Sequence, residues 1–318
     1  MDDQQSHGVV GSTYASRARP FAGDADLVRL DGFVRAVQAG PAASNAWHVG
    51  DLVRFLYLRT SFTPTRDLQL WLSVTDEIVA IAAFEAHGAL AFQVHPDLRA
   101  QGPLADEILA WGEQRWRATV QEEKSSLSIW APAGDAWRVD FLTRRGFVRG
   151  PVGVLWLRRD VGLSSLPPAA LPLGWTVRHV GSETEWAERA DIHRVVWHPA
   201  REGLPFYRRL RQAPWYNPQL DLAAVGPAGE IGSYCVCWHE PATGVGQIEP
   251  VGTHPAQRRK GLSRAVITEG LRRLRERGAR LAVVHADADN EASRALYAAL
   301  GFRVYNREDL YGKTLPPA

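Results

Sequence analysis

Cysteine and methionine are nearly absent: the chain has two of the first and one of the second among 318 residues. That scarcity excludes a disulfide-stapled scaffold. Cys235 and Cys237 stand two apart on an apolar, strand-like run, which puts both thiols on one face. With no second Cys or His pair beside them a zinc site lacks ligands, so they read as small buried hydrophobes and no metal is expected. No apolar run approaches the roughly 20 residues that span a bilayer, so no membrane partner is expected either. Residues 1–13 are polar and glycine-bearing without an apolar signal core; they read as a flexible arm, and a cytoplasmic chain is expected. An excess of one charge is missing too. Lys and Arg number 37 against 35 Asp and Glu, a net +2, which leaves no broad basic stripe for nucleic acid.

What is present suggests two domains. A chain of 318 residues with 45% hydrophobic content is long enough for each half to bury its own core. The uncharged, proline-rich stretch VGLSSLPPAALPLG at 161–174 marks a linker. Before it, periodicity and turn signals predict a strand at 14–19, helices at 26–39 and 49–59, a hairpin of 68–74 with 78–84, and a strand at 90–94. A helix at 104–120, a strand at 127–130, a helix at 135–145 and a strand at 152–158 follow. After the linker the order returns: strand 175–179, helices 185–197 and 205–211, strands 222–225, 231–238 and 245–253, helix 259–277, strand 281–285, helix 290–300 and strand 302–310. The halves also repeat in detail. His95, Pro96, Arg99 and Gly102 recur 159 residues later as His254, Pro255, Arg258 and Gly261, and Gly146-Phe147 recurs 155 later as Gly301-Phe302. Two landmarks in one order at nearly one offset indicate an internal duplication.

The later copy opens a long amphipathic helix. Backbone N–H groups at a helix start have no internal partner, and the helix dipole adds positive potential there. Arg258, Arg259, Lys260, Gly261, Leu262 and Ser263 therefore form a candidate phosphate cradle, with Gly261 letting a pyrophosphate reach the main chain. The spacing matches neither the dinucleotide-binding glycine motif nor the P-loop, which weakens a nucleotide-fold reading. Just upstream, Pro250 interrupts the strand at 245–253. Its missing ladder donor predicts an edge or a bulge, and a bulge would splay this strand from 281–285 and leave backbone groups free.

The element order, R-x-x-G-x-S before the long helix, and N-x-x-A/S-x-x-L-Y-x-x-x-G-F near the C-terminus together resemble the GNAT superfamily of N-acetyltransferases. The resemblance is good across 175–315 and fainter across 14–160; Ser263 departs mildly from the family's glycine or alanine but keeps its N–H. It implies an α/β (α+β) chain of two tandem domains, each a mixed, largely antiparallel twisted sheet flanked by helices. The first, 14–160, would be degenerate, 161–173 the linker, and 174–318 the catalytic domain. It implies acetyl-coenzyme A as co-substrate, with the pyrophosphate on Arg258 to Ser263 and the pantetheine arm beside Val251, Gly252 and Thr253. Asn290 would touch the pantetheine while capping its helix, and a backbone N–H near Val251 would hold the oxyanion. Glu249, on the bulged strand, would remove the proton of the attacking amine directly or through one water, its pKa raised by partial desolvation. Tyr297, at the tyrosine of the signature, would hand a proton to the departing thiolate. His285 is the reserve base, and His254, twinned with His95, a turn residue.

The N-terminal copy loses these groups. Pro103 removes an N–H from its cradle, Leu142 stands at the tyrosine position and Leu90 at the position of Glu249. That lobe is expected to wall the acceptor cleft rather than turn over. Trp197, His198, Phe206, Tyr207, Trp215 and Tyr216 flank the expected acceptor region; they form either an aromatic wall suited to a sugar, an aminoglycoside or another amine-bearing small molecule, or inter-lobe core. The arginines at 264, 272, 273, 275 and 277 read as a solvated helix face. The resulting expectation is an N-acetyltransferase for a primary amine of a small molecule, as a monomer with an internal pseudo-dimer or as a homodimer. Alternatives are acetylation of a cysteinyl amino sugar, and a non-catalytic acyl-coenzyme A sensor or scaffold.

Overall fold

The computed structural model describes residues 17–40, 43–59, 61–85, 87–99, 103–119, 126–162, 166, 170–198 and 203–316. The arm at 1–13, the start of the first expected strand (14–16), Gly102 of the repeated motif, Val120 and linker residues 163–165 and 167–169 lie outside them. The first half runs β1 (Arg17–Pro20), α1 (Asp24–Ala39), α2 (Val49–Tyr57), α3 (Pro64–Asp67), β2 (Leu68–Leu72), β3 (Ile78–Glu85), β4 (Ala89–Val94), α4 (Leu104–Thr119), β5 (Ser126–Pro132), α5 (Ala136–Arg144) and β6 (Val148–Asp160). The second runs β7 (Thr176–His179), α6 (Glu183–Val196), α7 (Leu204–Leu210), β8 (Asp221–Val225), β9 (Ile231–Glu240), β10 (Val245–Thr253), α8 (Leu262–Glu276), β11 (Leu281–Asp287), α9 (Glu291–Ala299) and β12 (Arg303–Thr314). Among the described residues the single turn α3 is the one α-helix the periodicity does not predict. Pro64 opens it and the Asp67 carboxylate accepts the Thr63 N–H at 2.8 Å, chemistry too short-ranged to leave a period.

All twelve strands join one sheet, in the order β1-β2-β3-β4-β5-β12-β6-β11-β10-β9-β8-β7. Only β4 with β5 and β10 with β11 pair parallel; the other neighbours are antiparallel. The halves exchange their last strands. β12 lies between β5 and β6, and β6 lies between β12 and β11, so each half's sheet is finished by the other's terminal strand. Two sheets are thereby fused into one. β6 and β12, thirteen and twelve residues long, have the length to do this.

Alternation along the strands sends side chains to both faces. In β2 and β3, Leu70, Leu72, Ile81 and Ala83 meet Leu30, Phe33 and Val34 of α1, while Trp71, Ala82 and Phe84 meet Ile108 and Leu109 of α4. In the second half Cys235 and Cys237 face Val266, Ile267 and Leu271 of α8, and Val236 and Trp238 face α6 and α7. The thiols are buried and free, as small hydrophobes in core. The α2 residues Val49 and Val53 join this second core, so α2 reaches from one half into the other. Among the described residues no helix is long and apolar enough to cross a membrane.

Candidate active site

The site starts from the break in β10. Ile248 pairs with Cys237 and Val251 with Cys235, a bulge of one extra residue around Pro250. On its other side β10 pairs with β11 only from Val245 to Gln247. Beyond Gln247 the two parallel strands part, leaving 249–253 with one edge unpaired. Trp238 Nε1 donates to the Glu249 carbonyl at 2.6 Å, which fixes the backbone at the bulge.

A cavity of about 480 Å³ opens at this gap. Glu249, Val251 and Pro250 line it from β10, His285 and Asp287 from β11, and Asn290, Ser293 and Tyr297 from α9. Asn290 caps α9 by accepting the Ser293 N–H at 3.1 Å, and the i, i+3, i+7 spacing puts the three α9 side chains on one face. The Tyr297 ring packs edge-on to Phe302 at 5.7 Å, and burial pushes its phenol well above the ordinary value, so it holds its proton at neutral pH.

The first half supplies most of the remaining wall. Trp47 and, from α2, Asp51, Arg54 and Phe55 line the cavity, with Arg59, Trp130 of β5, Trp156 of β6 and Glu308 of β12. Asp51 is placed by the capping box of α2, its Oδ2 accepting the His48 N–H at 2.7 Å. Gly50 allows α2 to dock: a Cβ there would lie 2.3 Å from Gln247 Oε1 and 2.8 Å from Trp238 Cδ1. The buried Gln247 amide then stands 3.3 Å from both Asp51 Oδ1 and Glu249 Oε2, holding the carboxylates together. His285 Nδ1 lies 3.8 Å from Glu249 Oε2, and its ring leans on Trp156.

Burial raises the Glu249 carboxyl above the ordinary glutamate value; nearby Asp51 adds to this, while His285, Arg54 and Arg59 oppose it. Burial likewise raises Glu308. Asp51, Glu249 and His285 each bring one N or O atom within 4.8 Å of the others, a group that could hold a cation. Each kind of cation asks for its own spacing. Tetrahedral zinc, with bonds near 2.05 Å, wants ligand atoms about 3.3 Å apart, whereas an ammonium donating three bonds of about 2.8 Å wants acceptors about 4.6 Å apart. With all three atoms within 4.8 Å of one another, the triad can take a protonated amine or, drawn closer, a metal ion.

The expected donor residues form a second cluster at the open end of β10. Gly261, at φ 79°, caps α8, which begins at Leu262 rather than at Arg259. Arg259 itself has φ 65°, so the chain turns sharply before the helix. Thr253 Oγ1 meets Ser263 Oγ at 2.5 Å and Ser233 Oγ at 2.9 Å, tying strand to loop. Gly252 is forced by packing, since a Cβ would sit 2.5 Å from the Tyr234 ring. Arg258, Arg259 and Lys260 are exposed, Lys260 resting on Gln257 at 2.7 Å. His254 accepts the Ala256 N–H, a turn role. Of the arginine face on α8, Arg272 and Arg273 pair with Glu269 of their own helix.

The aromatic wall differs from the expected one. Of the six residues named from sequence only Trp197 lines the cavity. Phe206 and Tyr207 are buried core, Trp215 donates to Asp31, and Tyr216 binds Asp221. Trp47, Phe55, Trp130 and Trp156 take the place, all contributed by the first half.

In the first half the corresponding gap is filled. β4 and β5 pair only at Ala89 with Ser128 and Leu90 with Ile129. Beyond that point Arg138 of α5 lies over the Phe92 ring and donates to the Trp130 carbonyl, with Asp135 and Arg99 beside it. Leu90 and Leu142 are fully buried core.

Residues 189–302 match the acetyltransferase (GNAT) family. The chain is 29% identical over 243 residues to a mycothiol acetyltransferase of Paenarthrobacter aurescens, covering 74% of this chain and 72% of the relative. A mycothiol acetyltransferase of an Arthrobacter strain is 28% identical over 245 residues, at the same coverages. In fold it is similar to a tandem GNAT protein from the clavulanic acid biosynthesis pathway, with a TM-score of 0.66 at 17% identity over 96% of this chain and all of that one. A GCN5-related N-acetyltransferase from Sphaerobacter thermophilus gives 0.63 at 20% identity, over 95% and 97%. The parted parallel strand pair, the helix-opening loop beyond it and the tyrosine across the gap from a carboxylate all fall within the segment that matches the family, so the second half carries a GNAT acetyltransferase domain, in a chain whose fold is similar to that of a tandem GNAT protein.

Proposed function

We propose that the second half transfers an acetyl group from acetyl-coenzyme A to a primary amine of a small molecule bound in the cavity between the halves. The observation that carries this is the meeting of Glu249, His285 and Tyr297 with Asp51 at the gap between β10 and β11. The donor's pyrophosphate rests on the N–H groups opening α8, from Arg258 to Ser263, and its pantetheine amides complete the unpaired edge of Val251, Gly252 and Thr253. Asn290 flanks that arm while capping α9.

The acceptor arrives as an ammonium among Asp51, Glu249 and His285. Glu249, whose raised pKa brings it closer to that of its substrate, takes one proton. The freed amine attacks the thioester carbonyl, and the oxyanion meets the Val251 N–H. The C–S bond then breaks, and Tyr297 protonates the leaving thiolate. Glu249 passes its proton through His285 to water, and the freed carboxylate takes the extra proton of the amide nitrogen and returns it to the Tyr297 phenolate, so one proton is released overall.

The first half, 14–160, binds no donor on this reading, because Arg138, Asp135 and Arg99 occupy the gap that pantetheine would need. It serves as the acceptor wall. The two free thiols stay reduced in the cytoplasm, where the enzyme works. A second reading, acetylation of a cysteinyl amino sugar, is favoured by the names of the relatives at 28–29% identity.

Thiol release from acetyl-coenzyme A, followed with a panel of amines, tests the proposal. Tyr297→Phe should lower kcat on the order of a hundredfold while the donor binds as before. Calorimetry should find one donor per chain. Binding of two donors, or intact turnover in Tyr297→Phe, would overturn the corresponding assignment; donor binding without turnover of any amine would favour a sensor.

A further inference from the structure

We propose that the acceptor carries a second cationic nitrogen, received by the carboxylate of Glu308. This rests on the reading of the cavity as the acceptor site. Glu308 lies on β12, opposite Val154 and Pro132, in the strand exchanged between the halves. It lines the cavity, and no hydrogen bond or ion pair engages its carboxylate among the described residues. Its neighbour on the opposite face shows the contrast: Asp309 is paired with both Arg149 and Arg307.

The rest of the lining points the same way. Asp51, Glu249, Asp287 and Glu308 face two guanidinium groups, Arg54 and Arg59. Both of those approach Glu85, a buried carboxylate behind the wall, Arg54 at 3.7 Å and Arg59 more closely. Counted as ionised, the four carboxylates outnumber the two guanidinium groups by more than a single ammonium balances. Asp51 and Glu249 share the reacting nitrogen through Gln247, which leaves Glu308 for another cation. Trp130 and Trp156 stand beside it on the neighbouring strands, and indole faces attract cations. A diamine, a polyamine or an amino sugar with two amino groups has this chemistry.

Calorimetry of the full chain with diaminoalkanes, and with monoamines of the same carbon length, separates this from the catalytic assignment. Diamines should bind roughly ten- to a hundredfold more tightly, the size of one charge-assisted hydrogen bond. Glu308→Gln should erase that preference by weakening the diamine alone, and Glu308→Asp, which keeps the charge, should retain part of it. Equal affinity for the two series, or a preference surviving Glu308→Gln, overturns the proposal. A preference that depends on Glu308 but comes without acetyl transfer leaves it standing and instead overturns the reaction proposed for the site.

Discussion

Replacing Glu249 by glutamine should move activity and stability in opposite directions. The amide keeps the shape of the carboxyl between Gln247 and His285, which stand 3.3 and 3.8 Å from Oε2, so no void opens. What disappears is the basic oxygen. General-base assistance contributes roughly 10²–10⁴ in rate, or about 3–5 kcal/mol of transition-state stabilisation. In a thiol-release assay at saturating amine kcat should fall by that factor, with the KM for donor unchanged. Stability changes through the proton. Burial raises the Glu249 pKa in the folded chain above its unfolded value, so the folded state binds that proton more tightly and ionisation near neutrality costs stability. The cost vanishes as pH falls through the raised pKa, where the wild type is itself neutral. Glu249→Gln should therefore melt higher than wild type at about pH 8, by on the order of 1–3 °C, and no higher at about pH 4. An unchanged kcat, or a gain in melting temperature that persists in acid, would refute the reasoning.

Two further outcomes follow from named contacts. Gly261→Val forces a branched side chain into the left-handed φ of 79°, at about 1–2 kcal/mol or more; initial rates should show the KM for donor raised on the order of tenfold and the KM for amine unmoved. Asp135→Ala leaves Arg99 and Arg138 buried without their carboxylate and removes the cap of α5. Denaturant melts should then lose about 3–5 kcal/mol, while the donor affinity of the fraction still folded stays at the wild-type value.

The parts of this site that are local in sequence were readable there. Pro250 announced the bulge through its missing N–H, and the run from Arg258 to Ser263 announced a helix opening on main-chain donors. Tyr297 and Asn290 share one helix face, which spacing alone can show. The acceptor wall was not legible. Asp51 meets Glu249 only because Gly50 lets α2 dock on Gln247, and neither a capping aspartate nor a glycine in a helix carries any mark of a partner almost 200 residues away. The tryptophans failed for the same reason: Trp130 and Trp156 reach the cavity through strand pairing, whereas Trp215, closer in sequence to the second half's strands, turns to Asp31. Strand exchange was hidden as well. β6 and β12 have the same alternation wherever they pair, and periodicity reports a strand's faces but not its neighbours.

The order of synthesis gives that exchange a temporal meaning. The middle of the sheet is closed by residues 303–314, which are synthesised after every other described strand. Until they arrive, β5 and β6 hold open edges toward each other, and a growing polypeptide must tolerate a vacant central lane. Halves produced separately would each be missing a rung that only the other can donate, so recombining them should restore the seam and the acceptor pocket together.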